Sequence, residues 1–214
     1  MTAAGSGLRV GVLVSGAGTN LQAILDTVHG REGIEVACVA SSRAEARGLE
    51  RARDAGVDAG VFAGIDYEDR SARDVAMGDW LEQHGVGLLV LAGFMEVLDV
   101  AFVRRFAGRM INVHPSLLPA FPGIRAIEQA MDYGVRVTGV TVHFVDEGLD
   151  TGPIVLQEAL ELPYAADIAA VETRVHEIEH RLLPQAIRLI ARGAVRTDPG
   201  NPRRVLVDGD LDQR

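Results

Sequence analysis

Five short apolar runs, each separated from the next by a stretch of helical period, constrain this chain more than any other feature. LRVGVLV at residues 8–14, EVACVA at 35–40, DAGVF at 58–62, LLVLA at 88–92 and MINV at 110–113 have strand length. The intervening segments at 21–28, 44–55, 68–84 and 100–106 have the length and period of helices. Strands alternating with helices predict an α/β fold in which a mostly parallel, twisted sheet is flanked by helices. LLVLA is apolar at every position and suits a strand buried on both faces, which supports a doubly wound arrangement. The 214 residues read as one domain over 1–193, followed by a tail over 194–214.

After residue 123 the rhythm changes. A short helix at 126–133 leads into VTGVTVHFV, where Val140, Val142 and Phe144 alternate as in a strand buried on one face. PIVLQEALEL follows, and the connecting DEGLDTG is too short for a crossover helix, so an antiparallel hairpin is expected. A long helix spans 168–191, and the Pro- and Gly-containing tail either adds an edge strand at VLV or frays.

Composition narrows the function. The formal net charge is −9, the pI is about 5.1, and the 21 Lys and Arg residues are scattered, so the basic footprint of a nucleic-acid binder is missing. MTAAGSGLRV lacks the basic and apolar regions of a signal peptide. The longest apolar run, GVGLLVLAGF, falls short of the roughly 20 residues that cross a bilayer. A cytoplasmic protein without membrane contact is expected. Cys38 is the only cysteine, within the apolar VACVA, which excludes an intramolecular disulfide and predicts a buried, inert thiol.

Three stretches carry candidate chemistry. SGAGTN at residues 15–20 is a Gly-rich turn at a strand-to-helix junction, where backbone N–H groups and the helix dipole suit a phosphate. Thr19 and Asn20 serve equally as helix caps. In INVHPSLLPAFPG, at 111–123, proline holds His114 in extended conformation, so the period of two puts Asn112 and His114 on one face of a strand end. An amide and an imidazolium there can stabilise a developing oxyanion, or simply satisfy a packed loop. DEGLDTGP at 146–153 can deliver a carboxylate to His114, or form a solvated acidic turn. Its acidic spacing does not match a calcium loop. His29, His84, His143, His176 and His180 are read as showing neither an HExxH pattern nor a Cys partner, and so as giving no zinc site; no metal is expected.

SGAGTNLQAIL, LAGFM, INVHPSLLPAFPG and TGVTVHFVDEGLDTGPIVLQ together resemble the folate-dependent formyltransferases, and among them the phosphoribosylglycinamide formyltransferases of purine synthesis. The resemblance runs from about residue 8 to about 193. It implies a Rossmann-like formyltransferase fold, with phosphate and ribonucleotide binding in the N-terminal half and folate binding and catalysis in the C-terminal half. The implied reaction moves the formyl group of 10-formyltetrahydrofolate, a co-substrate, to the amine of 5'-phosphoribosylglycinamide, without a covalent enzyme intermediate. The family's catalytic trio carries over to Asn112, His114 and Asp150. Asn112 and protonated His114 would stabilise the oxyanion; Asp150 would favour the charged imidazole and orient a proton-relaying water.

Gly18, Thr19 and Asn20 would hold the phosphate and Glu179 the ribose. Arg70, Met95, Glu96, Val97 and Leu98 would line the folate site together with Asn112, Asp146, Glu147, Gly148, Leu149 and Asp150. The sequence departs from the family at Glu96, where Arg is common, and at Ile127, where His is common. A monomer or homodimer acting on small molecules is implied. Length disfavours two related activities: methionyl-tRNA formyltransferase would need a further RNA-binding domain, and formyltetrahydrofolate deformylase an N-terminal regulatory one. A nicotinamide-binding module would use SGAGTN, and Arg43 in VASSRAEARG could meet a 2'-phosphate, but that reading leaves INVHPSLLP unexplained.

Overall fold

The computed structural model describes residues 7–208; residues 1–6 and 209–214, which enter the reading of the N-terminus and the tail, lie outside the described residues. The chain divides into two compact units, the first running to Ile111 and the second starting at Asn112.

The first unit holds β1 (Leu8–Val14), α1 (Thr19–Thr27), β2 (Ile34–Ser41), α2 (Arg47–Asp54) and β3 (Asp58–Val61). A single 3-10 turn (Gly64–Asp66), α3 (Arg70–Gln83), β4 (Leu88–Leu91) and α4 (Val100–Arg105) complete it. β1 pairs in parallel with β2 on one side and β4 on the other, and β2 pairs in parallel with β3. Val10, Val12, Leu13 and Val14 of β1 are wholly buried, as is β4 along its length. Full burial of each such side chain favours folding by roughly 1.5–3 kcal/mol, which is what a strand covered on two faces supplies. Burial also pushes the Cys38 thiol up to about 12, leaving it the inert group the sequence suggests.

Helix ends follow local chemistry more closely than hydrophobic period does. α1 starts two residues earlier than its apolar pattern because Gly18 takes a left-handed conformation, φ 69°, as N-cap. A Cβ on Gly18 would lie 2.6 Å from Gly48 Cα, so glycine is required there twice over. α3 starts at Arg70 because the Asp69 carboxylate accepts from Ala72 N at 2.8 Å.

β5 (Met110–His114) runs across the boundary into the second unit, which holds α5 (Ala126–Tyr133), β6 (Val137–Phe144), β7 (Ile154–Glu161), α6 (Ile168–Ala191), β8 (Val195–Asp198) and β9 (Asn201–Val207). Strand order in the main sheet is β3-β2-β1-β4-β5-β6-β7. β6 and β7 are the expected antiparallel hairpin, in register from Val137 opposite Glu161.

Two expectations need correction. β6 is buried on both faces, not one: Val140 and Val142 are inaccessible, but so is Thr141, and His143 is 2% exposed. Thr141 and His143 tolerate burial because both are hydrogen-bonded, as the site geometry shows. VLV does form a strand, but β9 pairs antiparallel with β8 in a separate two-stranded sheet, because the turn at Gly200 returns the chain onto the residues just before it.

Where β6 meets β7, a Cβ on Gly139 would stand 2.1 Å from the Glu158 carbonyl oxygen and 2.7 Å from the Leu117 side chain. Gly139→Ala is therefore expected to destabilise by about 1–3 kcal/mol, read as a fall in thermal or urea midpoint. An unchanged midpoint would show that the hairpin relaxes around the methyl group.

Candidate active site

The candidate chemistry of the second unit gathers on one carboxylate. Asp150 Oδ2 accepts from Gly123 N at 2.7 Å and lies 3.4 Å from His114 Nδ1; Asp150 Oδ1 accepts from Asn112 Nδ2 at 3.4 Å. Asn112 and His114 thus share a face of β5 and meet the same loop residue, as the period of two requires. The His114 side chain is 5% exposed and that of Asp150 12%. His114 Nε2 meets the Phe121 carbonyl oxygen at 2.8 Å, so an acceptor oxygen stands at each ring nitrogen.

These contacts depend on unusual backbone. Phe121, Gly123 and Arg125 have φ of 52°, 82° and 59°, and Asp150 itself has φ 52°. A left-handed conformation costs a non-glycine residue energy that surrounding bonds must offset, and such residues cluster at functional sites. Here the conformation presents the Phe121 carbonyl to His114 and the Gly123 N–H to Asp150. The Asp150 loop is braced by Asp146, whose Oδ1 accepts from Gly148 N at 3.1 Å and Thr151 Oγ1 at 2.6 Å. Glu147 and Leu149 are exposed on the same loop.

The PSLLP loop is fixed from below by β6 and β7. Thr141 Oγ1 donates to the Ser116 carbonyl at 2.7 Å and accepts from Leu118 N at 3.1 Å and Gln157 Nε2 at 3.0 Å, which saturates the hydroxyl. Gln157 Nε2 also donates to the Leu118 carbonyl at 2.9 Å. The Thr of VTVH and the Gln of PIVLQ are thereby explained as the floor of the loop that follows His114.

His143 is a site residue that sequence reasoning missed. Its Nδ1 donates to the Phe144 carbonyl at 2.8 Å, and burial pushes its pKa below the ordinary imidazole value. The ring is therefore neutral near pH 7, and its Nε2 is an acceptor, 3.3 Å from Asn112 Nδ2. Two acceptors, His143 Nε2 and Asp150 Oδ1, face the same end of Asn112, so that end is the amide nitrogen. The signal lay in the sequence: His143 shares strand parity with Thr141, one strand away from the Asn112 pair.

In the first unit, Gly18 caps α1 without a side-chain cap bond, while Thr19 and Asn20 are its first two helical residues and not its caps. The first-turn N–H groups are the donors an anion can use. Arg51 Nε, donating to the Ala17 carbonyl at 2.9 Å, holds the preceding turn. Arg70 is exposed at the start of α3; Met95, Glu96 and Val97 are exposed after β4, with Leu98 half-buried. The Glu96 carboxylate lies 3.6 Å from the Arg73 guanidinium. Glu179 is buried on α6.

One correction applies to the remaining histidines: residues 176–180 read HEIEH, the H-E-x-x-H spacing of a helical zinc motif. The His176 and His180 rings stack at 6.2 Å and 12°, and among the described residues no group of three or more His, Cys, Asp or Glu could hold a metal ion.

With this geometry in hand, likeness to known proteins is decisive. A profile of the formyl transferase family matches residues 8–187. The chain belongs to that family. It is 41% identical over 189 residues to phosphoribosylglycinamide formyltransferase of Haemophilus influenzae, covering 88% of this chain and 89% of that one. Among solved structures, glycinamide ribonucleotide transformylase 1 from Symbiobacterium toebii superposes with a TM-score of 0.90 at 46% identity, over 97% of this chain and 98% of that chain. The trifunctional purine biosynthetic protein adenosine-3 of Bos taurus is 43% identical over 189 residues, but this chain spans only 19% of that protein's length. No described helix of this family member is long and apolar enough to cross a membrane.

Burial of neutral His143 makes a prediction about pH. The unfolded chain takes up a proton near pH 6.5, whereas folded His143 does so only at lower pH, so stability present above about 6.5 is lost as pH falls through the depressed value. Thermal melting from pH 7.5 to 5.5 should show a smaller acid loss in His143→Gln than in the wild type. Identical slopes would mean that His143 titrates equally in both states.

Proposed function

We propose that this formyltransferase moves the formyl group from 10-formyltetrahydrofolate to the amine of 5'-phosphoribosylglycinamide, with Asn112, His114 and Asp150 as catalytic residues. The observation that carries the reading is the half-buried Asp150 carboxylate joining His114 and Asn112, in a family member that is similar along most of its length to phosphoribosylglycinamide formyltransferases.

The amine attacks the formyl carbon, and the carbonyl oxygen becomes an oxyanion. His114 Nε2–H and Asn112 Nδ2–H are the donors. His114 Nε2 meets the neutral Phe121 carbonyl at 2.8 Å, and Asn112 Nδ2 meets the neutral His143 Nε2 at 3.3 Å and, at the longer 3.4 Å, the Asp150 carboxylate. A charged oxygen is about twice as strong an acceptor as a neutral one and competes for both. Stabilisation is then stronger in the transition state than in the ground state, which is what accelerates the step. Asp150 holds the His114 ring by Nδ1 and orients the water that carries the amine proton to the leaving nitrogen.

In the first unit, Gly18, Thr19 and Asn20 hold the ribonucleotide phosphate, a role supported by the helix start that lacks a side-chain cap. Glu179 holds the ribose. Folate-binding roles fall to Arg70, Met95, Glu96, Val97 and Leu98 in the first unit and to Asp146, Glu147, Gly148 and Leu149 in the second. The substrates are small cytoplasmic metabolites, and no step calls for a metal.

The test is an absorbance assay of 10-formyltetrahydrofolate turnover with and without phosphoribosylglycinamide. Loss of the formyl group is expected only with the acceptor present; equal loss without it would identify a hydrolase. His114→Ala should lower kcat by about 10³-fold and Asp150→Asn by about 10²-fold, with melting temperatures close to wild type. Near-normal turnover in His114→Ala would sink the mechanism.

A further inference from the structure

In the first unit, residues 93–99 join β4 to α4 without regular structure, and Met95 and Val97 are 69% and 66% exposed. So exposed a segment has little packing to hold it, yet buried polar groups bind it at both ends. At the near end, Ser15 N donates to the Gly93 carbonyl at 3.1 Å, and Ser15 Oγ accepts from Met95 N at 2.9 Å. The hydroxyl also meets Ser42 Oγ at 3.2 Å. At the far end, Asp74 Oδ2 accepts from Asp99 N at 2.6 Å, and Arg73 Nη2 donates to the Val97 carbonyl at 3.4 Å.

Arg73 and Asp74 are 4% and 1% exposed and bonded to each other, Arg73 Nε to Asp74 Oδ1 at 2.8 Å and Nη2 to the same oxygen at 2.7 Å. A third arm, Nη1, lies 3.6 Å from Glu96. Desolvation of a buried ion pair offsets most of its Coulombic attraction, so net stability is a weak reason for one to exist. What distinguishes this pair is direction: the guanidinium and carboxylate reach a carbonyl, an N–H and a carboxylate of one short segment.

We propose that Ser15, Arg73 and Asp74 are positioning residues that clamp the backbone of residues 93–99 in the shape that receives the folate donor. The proposal rests on the reading above that Met95, Glu96, Val97 and Leu98 bind that donor. It separates Ser15 from the phosphate role of its motif: the serine of SGAGTN serves residues 93–95, and the later residues of the same turn serve the anion. A binding segment misplaced by about 1 Å can lose up to 10²-fold in activity, so the clamp acts on donor affinity without touching the reacting atoms.

Arg73→Lys keeps the charge beside Asp74 but loses the fork that reaches Val97 and Glu96. Steady-state kinetics should show KM for 10-formyltetrahydrofolate raised about tenfold, kcat within about twofold of wild type, and KM for phosphoribosylglycinamide unchanged. Ser15→Ala, a neutral change of similar size, should move the same constant in the same direction, and it decides the matter if the Arg73 variant does not fold. An unchanged donor KM in a folded variant, equal rises in both KM values, or a rise in acceptor KM alone would overturn the clamp. Should the wild type fail to transfer formyl at all, the functional reading falls, and amide hydrogen exchange judges the clamp separately. Protection at Met95 N must then drop in Ser15→Ala, and at Asp99 N in Asp74→Asn, while β1 and β4 stay protected; unchanged protection would overturn it.

Discussion

Everything distinctive in the second unit depends on Asp150 accepting hydrogen bonds from several directions at once. An ionised carboxylate is acceptor-only, so whatever it organises must present a hydrogen. Gly123 presents a backbone N–H, Asn112 its amide nitrogen, and His114 the Nδ1 side of its ring. These come from β5 and from the loop after it, while Asp150 comes from the β6–β7 hairpin. The carboxylate is what makes three separate stretches of sequence into one site. Its left-handed backbone is the cost of aiming both oxygens inward, and aspartate is among the few residues that tolerate it.

Much of this was legible in the chain because the relevant signals are local. Strands such as LLVLA declare themselves by continuous apolarity, and Pro115 forces His114 to remain extended. Asn112 and His114 therefore had to share a face. The family resemblance added what spacing alone could not, that the partner is Asp150 and not Asp146 or Glu147. In the structure Asp146 braces its own loop through Gly148 and Thr151, a role that looks identical in sequence to a free carboxylate.

The illegible part has a common cause. A polar residue's burial depends on what covers it, and the cover is distant in sequence. The alternation of VTGVTVHFV reads as one wet face, but residues 25 positions earlier put the Ser116 carbonyl against Thr141. His143 was hidden in the same way. The helix starts read at residues 21 and 68 each differ by two from those observed, at Thr19 and Arg70, because a left-handed Gly18 and a capping Asp69 act through backbone geometry that hydrophobic period does not register. For VLV the partner strand lay nearer than the main sheet, a choice set by the turn at Gly200. HEIEH is the opposite case: the spacing is in the sequence, and in the structure its two imidazole rings stack on each other.

His143 shows what such burial does to a side chain. Its Nε2 lies 3.7 Å from Asp150 Oδ1. Were the ring charged, it would form an ion pair with that oxygen and displace the Asn112 amide. The attraction of Asp150 does favour the charged form, but desolvation is the largest influence and acts the other way, joined by the field of His114. The ring remains neutral, and its second nitrogen is spent on the Phe144 carbonyl, so it has only a lone pair to offer. That lone pair holds Asn112 with its N–H groups turned toward His143 and Asp150. The state of His143 is thus set by its burial, and its orientation by the backbone carbonyl that its ring meets.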